Sequence, residues 1–188
     1  MAQCVFSDVD ALTDWLRARI VPGTPHLIGI DGVNFTGKST LARSLGSALG
    51  CTVIECDDFI QDGNKPYPEI LDLASLQSEV ELATAQGVVV IDSLCLQLVL
   101  DALGMATSSQ IYVRHSWPPN TYTHEALLDA EVGEEELLSE EDEICRAAGI
   151  ADDDPILARE LITYHKRRRP HDNADAIYES CFEPAAAA

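Results

Sequence analysis

Positive charge is what this sequence holds least of. Its 188 residues include 12 Lys and Arg against 32 Asp and Glu, a formal charge of −20. Such a chain repels phosphate backbones and anionic lipid at long range, which argues against general nucleic-acid or membrane-surface binding. No apolar run reaches the length of a membrane span, and residues 1–10 lack a basic region followed by an apolar stretch, so the expected compartment is the cytoplasm. The six cysteines (Cys4, Cys51, Cys56, Cys95, Cys145, Cys181) form no C-x-x-C pair and no zinc spacing, and they read as reduced thiols. No repeat of solenoid period is visible. What remains is 46% hydrophobic and 23% charged, close to the globular average, which excludes disordered and fibrous classes. The length predicts one domain over 1–188.

Along the chain, short apolar runs alternate with helical patterns. Val9, Leu12, Leu16 and Ile20 recur at helical spacing, and Ser7 with Asp10 resembles a cap, so 8–20 is predicted helical. Pro22, Gly23 and Pro25 end that helix, making 1–25 an N-terminal helix and linker. Strands are predicted at 26–31, 51–56, 87–92 and 109–114, with helices at 38–49, 69–86 and 94–103 between them. Pro155 opens a last helix to about Arg169, and 174–178 supplies a fifth strand. This alternation predicts an α/β three-layer sandwich around a five-stranded parallel sheet. Trp117-Pro-Pro-Asn120 breaks the rhythm, and 115–152 reads as a helical acidic lid or insertion.

One segment carries chemistry on its own. Gly32-Val-Asn34-Phe35-Thr36-Gly37-Lys38-Ser39 matches G-x-x-x-x-G-K-[ST], after a predicted strand and at the start of a predicted helix. In this pattern glycines let successive amides point at one anion, and the helix that follows adds its positive end. Lys38 then reaches the β- and γ-phosphates, and the Ser39 hydroxyl coordinates Mg²⁺. A chance match in a chain of this composition has a probability of roughly 0.1%, so a phosphate cradle outweighs a plain Gly-rich turn. Candidate cofactor-binding residues are Gly32, Asn34, Phe35, Thr36, Gly37, Lys38, Ser39 and Thr40.

Two carboxylate positions join it. Asp92 closes a predicted strand, at the edge where ligands bind an open parallel sheet, and suits Mg²⁺ through water; capping of the next helix is the alternative. Asp57 and Asp58 follow the second strand and stand at the same edge, unless they form a solvated turn. Ser39, Asp57 and Asp92 are the candidate metal residues. Two signatures are absent: the N-K-x-D of regulatory GTPases, and an Asp-Glu after the third strand, where Asp92-Ser93 stands.

With these residues quoted, the sequence resembles the uridine kinase and nicotinamide riboside kinase group of P-loop small-molecule kinases. Residues 28–43 resemble its first strand, loop and helix, and Val53-Ile-Glu-Cys-Asp-Asp-Phe59 resembles its second-strand motif. Tyr164-His-Lys-Arg-Arg-Arg-Pro170 with Ala174-Asp175 is similar to the pattern leading into its last strand. The resemblance implies that Asp57 acts toward a substrate hydroxyl, with ATP and Mg²⁺ as cofactors and a small-molecule acceptor, a nucleoside or riboside among the candidates. The sequence departs from the group at Asp92-Ser93, in the missing substrate hairpin before the third strand, and in the missing Arg-rich lid element.

The expected mechanism assigns γ-phosphate charge to Lys38 and to the cluster Arg167, Arg168 and Arg169, with Arg168 as the catalytic arginine. Lys166 to Arg169 holds four of the twelve basic residues, whereas residues 124–160 carry fourteen acids against two arginines. A solvated helix end is the other reading of that cluster. Two non-kinase readings stand beside this: an ATP-binding regulator or subunit that transfers nothing, and hydrolysis coupled to a macromolecule. Neither the acceptor nor the oligomeric state is legible.

Overall fold

The computed structural model describes residues 3–61, 65–115, 124–148 and 156–180. In chain order the first elements are Cys4–Phe6 (β1), Val9–Arg17 (α1), His26–Gly32 (β2), Lys38–Leu49 (α2) and Thr52–Glu55 (β3). A 3₁₀ turn at Cys56–Phe59 follows, then Leu73–Thr84 (α3), Val88–Asp92 (β4), Leu96–Leu103 (α4) and Ser109–His115 (β5). The last are His124–Leu128 (α5), Glu134–Ala148 (α6), Ile156–Arg168 (α7), Pro170–Asn173 (α8) and Ala176–Ser180 (β6).

All ladder pairs are parallel, and the strands lie in the order β1-β6-β5-β2-β4-β3. Every residue of β2 is buried, as a central strand covered on both faces requires. The strand period of two divides its side chains. Ile28 and Ile30 join Leu12, Leu16, Leu41 and Leu45 of α1 and α2 in one core, while Leu27 lies in the other with α3, α4 and α7. These are the predicted three layers.

Among the described residues the sheet has six strands, not five. β1 replaces part of the expected linker: three residues carry no readable period, and pairing with β6 (Cys4 opposite Ala176) makes them a strand. The first helix is shorter than 8–20, and its cap is Asp8 rather than Ser7; Asp8 Oδ1 accepts from the Asp10 amide at 2.8 Å. Helix α2 has the predicted bounds, and β6 runs two residues beyond the predicted strand.

The described part of the acidic segment, α5 and α6, is docked on α7. Leu127 and Leu137 are buried in the core, Glu134 accepts from Thr163 at 3.0 Å and from Arg167, and Arg159 pairs with Asp142. The Trp117–Asn120 break and the helix-opening Pro155 lie outside the described residues. Cys56 and Cys95 are buried and Cys4 and Cys51 half-buried, all four as free thiols. Cys181 lies outside the described residues, as does the side chain of Cys145. No helix among the described residues is long and apolar enough to cross a membrane.

Candidate nucleotide site

The loop between β2 and α2 turns on two glycines. Gly32 has φ 151°, and a Cβ there would stand 2.5 Å from the Val113 carbonyl oxygen. Gly37 caps α2 at φ 88°, which frees the first-turn amides of the helix to point out of the loop. Phe35 also takes a left-handed backbone, φ 62°, and its side chain is fully exposed. A non-glycine residue held there is strained by roughly 1–2 kcal/mol.

Internal bonds define the loop. The Val33 carbonyl accepts from Thr36 Oγ1 and from Lys38 Nζ, each at 2.8 Å, and Ser180 Oγ of β6 donates to the Thr36 carbonyl at 2.7 Å. Lys38 is buried, which pushes its ammonium pKa down, while Asp31, Asp92 and Asp57 oppose that shift. One of its three donors is used by Val33, which leaves the others for an anion.

Ser39 Oγ donates to Asp92 Oδ2 at 2.9 Å. Asp92 is buried, and its carboxyl is pushed up to about 6 by desolvation, against the Ser39 bond and the Lys38 charge. Its other oxygen, Oδ1, is buried with no hydrogen-bond partner. An orphaned carboxylate oxygen beside a hydroxyl whose lone pairs stay open fits a hard divalent cation. No cluster of three or more His, Cys, Asp or Glu forms a metal cage among the described residues. Ser39 and Asp92 therefore suit an ion whose remaining ligands are phosphate and water, as Mg²⁺ prefers.

The strand register carries Asp57 to the same edge. Glu55 lies opposite Asp92, and the 3₁₀ turn begins at the next residue. Both acids of the turn are exposed. They face different groups: Asp57 acts electrostatically on Lys38 and Asp92, whereas Asp58 acts on Arg43, which pairs with Glu55 at 2.7 Å. Asp57 is thus the acid whose charge is felt at Lys38 and Asp92.

Sequence reasoning passed over three polar groups here. Asp31, fully buried at the end of β2, accepts from the Gly32 amide at 2.7 Å and from the Tyr164 hydroxyl of α7. Tyr67 and Ser93 share a hydrogen bond behind Asp92, and the Tyr67 amide donates to Glu160 of α7 at 2.9 Å. The one signal for Asp31 was a carboxylate inside an apolar run. Ser93 was marked only as a departure from the resembled pattern and nothing local marked Tyr67, because their meeting depends on how separate segments pack.

The basic cluster is elsewhere. Helix α7 precedes β6 and runs back along the sheet, so its last turn lies at the amino ends of the strands, away from the carboxyl ends where the loop sits. Arg168 pairs there with Asp101 near the end of α4, Arg167 with Glu134, and Arg169 with Asp172. The structure therefore does not bring Arg167, Arg168 or Arg169 to the phosphate loop; the helix-end reading describes them. Thr40 stands in the first turn of α2, and Asn34 in the loop between Val33 and Phe35.

Two solved structures share this fold over most of their length. A protein described as a possible uridine kinase from Bacillus stearothermophilus is similar at TM-score 0.52 and 17% identity, over 90% of this chain and 96% of that one. The kinase domain of Escherichia coli tyrosine kinase ETK is similar at TM-score 0.51 and 11% identity, over 96% of this chain and 77% of that one. The fold is that of a P-loop kinase. No family model matches the sequence, and no curated protein does. In the P-loop kinase fold the loop 32–39, Asp92 and Asp57 all stand at one edge of the sheet, whose strands are covered by helices on both faces.

Proposed function

We propose that this chain is an ATP-dependent phosphotransferase that moves the γ-phosphate to a hydroxyl of a small metabolite, with a nucleoside or riboside as the first candidate. The observation that carries this reading is the pairing of Ser39 with Asp92 beside the loop lysine, with Asp57 exposed at the same edge. Motif, metal-compatible pair and carboxylate base converge there from three different strands.

Phosphoryl transfer needs alignment and charge neutralisation more than covalent help. The amides of the loop and of the first turn of α2 bind the triphosphate, and Lys38 places its charge on the transferring group. Ser39 and Asp92 would hold Mg²⁺, which neutralises phosphate charge when bound. Asp57 accepts a hydrogen bond from the acceptor hydroxyl and then its proton, as the new O–P bond forms and the bond to the β-phosphate oxygen breaks. We assign to the acidic segment 115–152 the covering of the acceptor, because its described helices ride on α7, whose first turns meet Tyr67 behind the site.

The test is a screen of hydroxyl metabolites, nucleosides included, with Mg²⁺ and ATP, read as phosphorylated product by mass. A product from any acceptor supports the kinase. Tight nucleotide binding with no product from any of them supports a regulator that holds ATP without transferring phosphate.

A further inference from the structure

The phosphate loop is tied to a helix that contributes nothing to it in sequence. Tyr164 of α7 is buried, with its hydroxyl donating to Asp31 and accepting from the Gln97 amide at the start of α4 at 3.2 Å. Asp31 is fully buried and uses its other oxygen on the amide of Gly32, the first residue of the loop. Gly32 lies so close to β5 that a Cβ there would meet the Val113 carbonyl oxygen. The same helix carries the contacts to α5, α6 and the Tyr67 segment: Lys166 to the Ala126 carbonyl, Thr163 to Glu134, and Glu160 to the Tyr67 amide.

We propose that Tyr164 is a positioning residue for the phosphate loop, acting through Asp31 on the Gly32 amide. It touches no phosphate. It fixes the carboxylate that fixes the first loop peptide, and so the direction in which the next amides point. A carboxylate held by the Tyr164 hydroxyl and by the Gly32 and Leu96 amides in a dry site keeps a single geometry, and losing the Tyr164 donor loosens that hold. This inference rests on the nucleotide-binding reading above.

The charged and titratable groups facing Asp31 are Lys38 from α2, Tyr164 from α7, Tyr112 from β5 and Cys95 at the start of α4. Burial opposes the ionised carboxylate, and the Tyr164 hydroxyl, the Gly32 amide, Lys38 and the Leu96 amide favour it. Protonation places a hydrogen on one of the two Asp31 oxygens that these donors share, so one of the hydrogen bonds must be given up or reversed and the loop loosens in acid.

The experiment measures the affinity of the full chain for Mg·ATP by calorimetry from pH 5 to pH 8, in wild type, Tyr164→Phe, Asp31→Asn and the double variant. Asp31→Asn keeps the shape of the side chain, so it serves where Tyr164→Phe does not fold; thermal melting monitors folding. At pH 8 each single variant is expected to weaken Mg·ATP by about tenfold, and the double variant by no more than either single one, because the two residues act as one unit. Relative to wild type, the Asp31→Asn defect shrinks toward pH 5, where the native carboxyl also carries a proton.

Folded variants that bind as wild type does overturn the proposal. So does a double variant weakened by the product of the single effects, about a hundredfold, since the residues then act separately. A purely structural role would lower the melting temperature and leave affinity and its pH profile unmoved. If wild type itself does not bind Mg·ATP, the nucleotide reading fails and this inference with it, an outcome distinct from binding that the variants leave unchanged.

Discussion

Ser39 and Asp92, 53 residues apart in the chain, are joined by a 2.9 Å hydrogen bond that leaves Asp92 Oδ1 buried and unpartnered. The pair exists because β2 and β4 are adjacent in parallel register, with Ile30 opposite Asp92, so that α2 begins beside the end of β4. A buried carboxylate oxygen without a partner, beside the Ser39 hydroxyl, makes Mg²⁺ the test of the site. Asp92→Asn is expected to weaken the Mg²⁺ dependence of nucleotide binding by about 10–100-fold. Titrations of ATP with and without Mg²⁺ check this; an unchanged ratio of the two affinities counts against the assignment.

Asp57 is exposed, and its charge is felt at Lys38 and Asp92. Its replacement by Asn keeps the size of the side chain and removes the base. Turnover with the acceptor found in the screen should fall by about 10²–10⁴-fold, with nucleotide affinity nearly kept. Steady-state kinetics beside a binding titration separate the two; an undiminished rate removes Asp57 from the role.

Gly32 leaves no room for a methyl group. A Cβ there meets a backbone oxygen at 2.5 Å, and φ 151° is unfavourable for any L side chain. Gly32→Ala should destabilise the fold by about 2–4 kcal/mol and abolish nucleotide binding. Urea denaturation and calorimetry read the two effects. A variant as stable as wild type would mean that the loop turns differently.

Arg168 is expected to matter little. Its partner Asp101 and its own guanidinium are both about half exposed, and exposed ion pairs contribute at most about 1 kcal/mol. Arg168→Ala should therefore melt within a few degrees of wild type and turn over at the wild-type rate. A tenfold loss of turnover would return this arginine to the active site.

Burial pushes the Asp31 carboxyl up to about 6 from an ordinary 3.8. The folded chain thus holds that proton more tightly than the unfolded chain does. Stability falls as pH rises from about 4 through about 6, by at most about 3 kcal/mol from this group. The general repulsion of an acidic chain changes stability in the same direction. The measurable quantity is therefore the difference in slope: urea midpoints of Asp31→Asn should vary less with pH over that window than those of wild type. Parallel slopes would show that the carboxyl titrates normally.

The local part of the site was legible because it is contiguous. Eight residues from Gly32 to Ser39 carry a loop, a cap and a lysine in fixed order, and the apolar run before them with the helical pattern after them placed that loop at a strand end. The Asp57-Asp58 turn was readable for the same reason, although which acid faces the loop was decided by the turn after β3. The basic run 166–169 misled, since a cluster of like charges says nothing about which end of a sheet its helix reaches.

By itself the sequence determined the alternation of strands and helices and the chemistry of the phosphate loop, since both depend on neighbours within a few residues. Tertiary structure alone decided that Cys4–Phe6 is a strand, that Ser39 meets Asp92, that Tyr164 reaches Asp31, and that Arg167 and Arg168 pair with acids away from the site. Each of these depends on strand order, register and helix direction, which come from packing apolar faces far apart in the chain and leave no mark on any one segment.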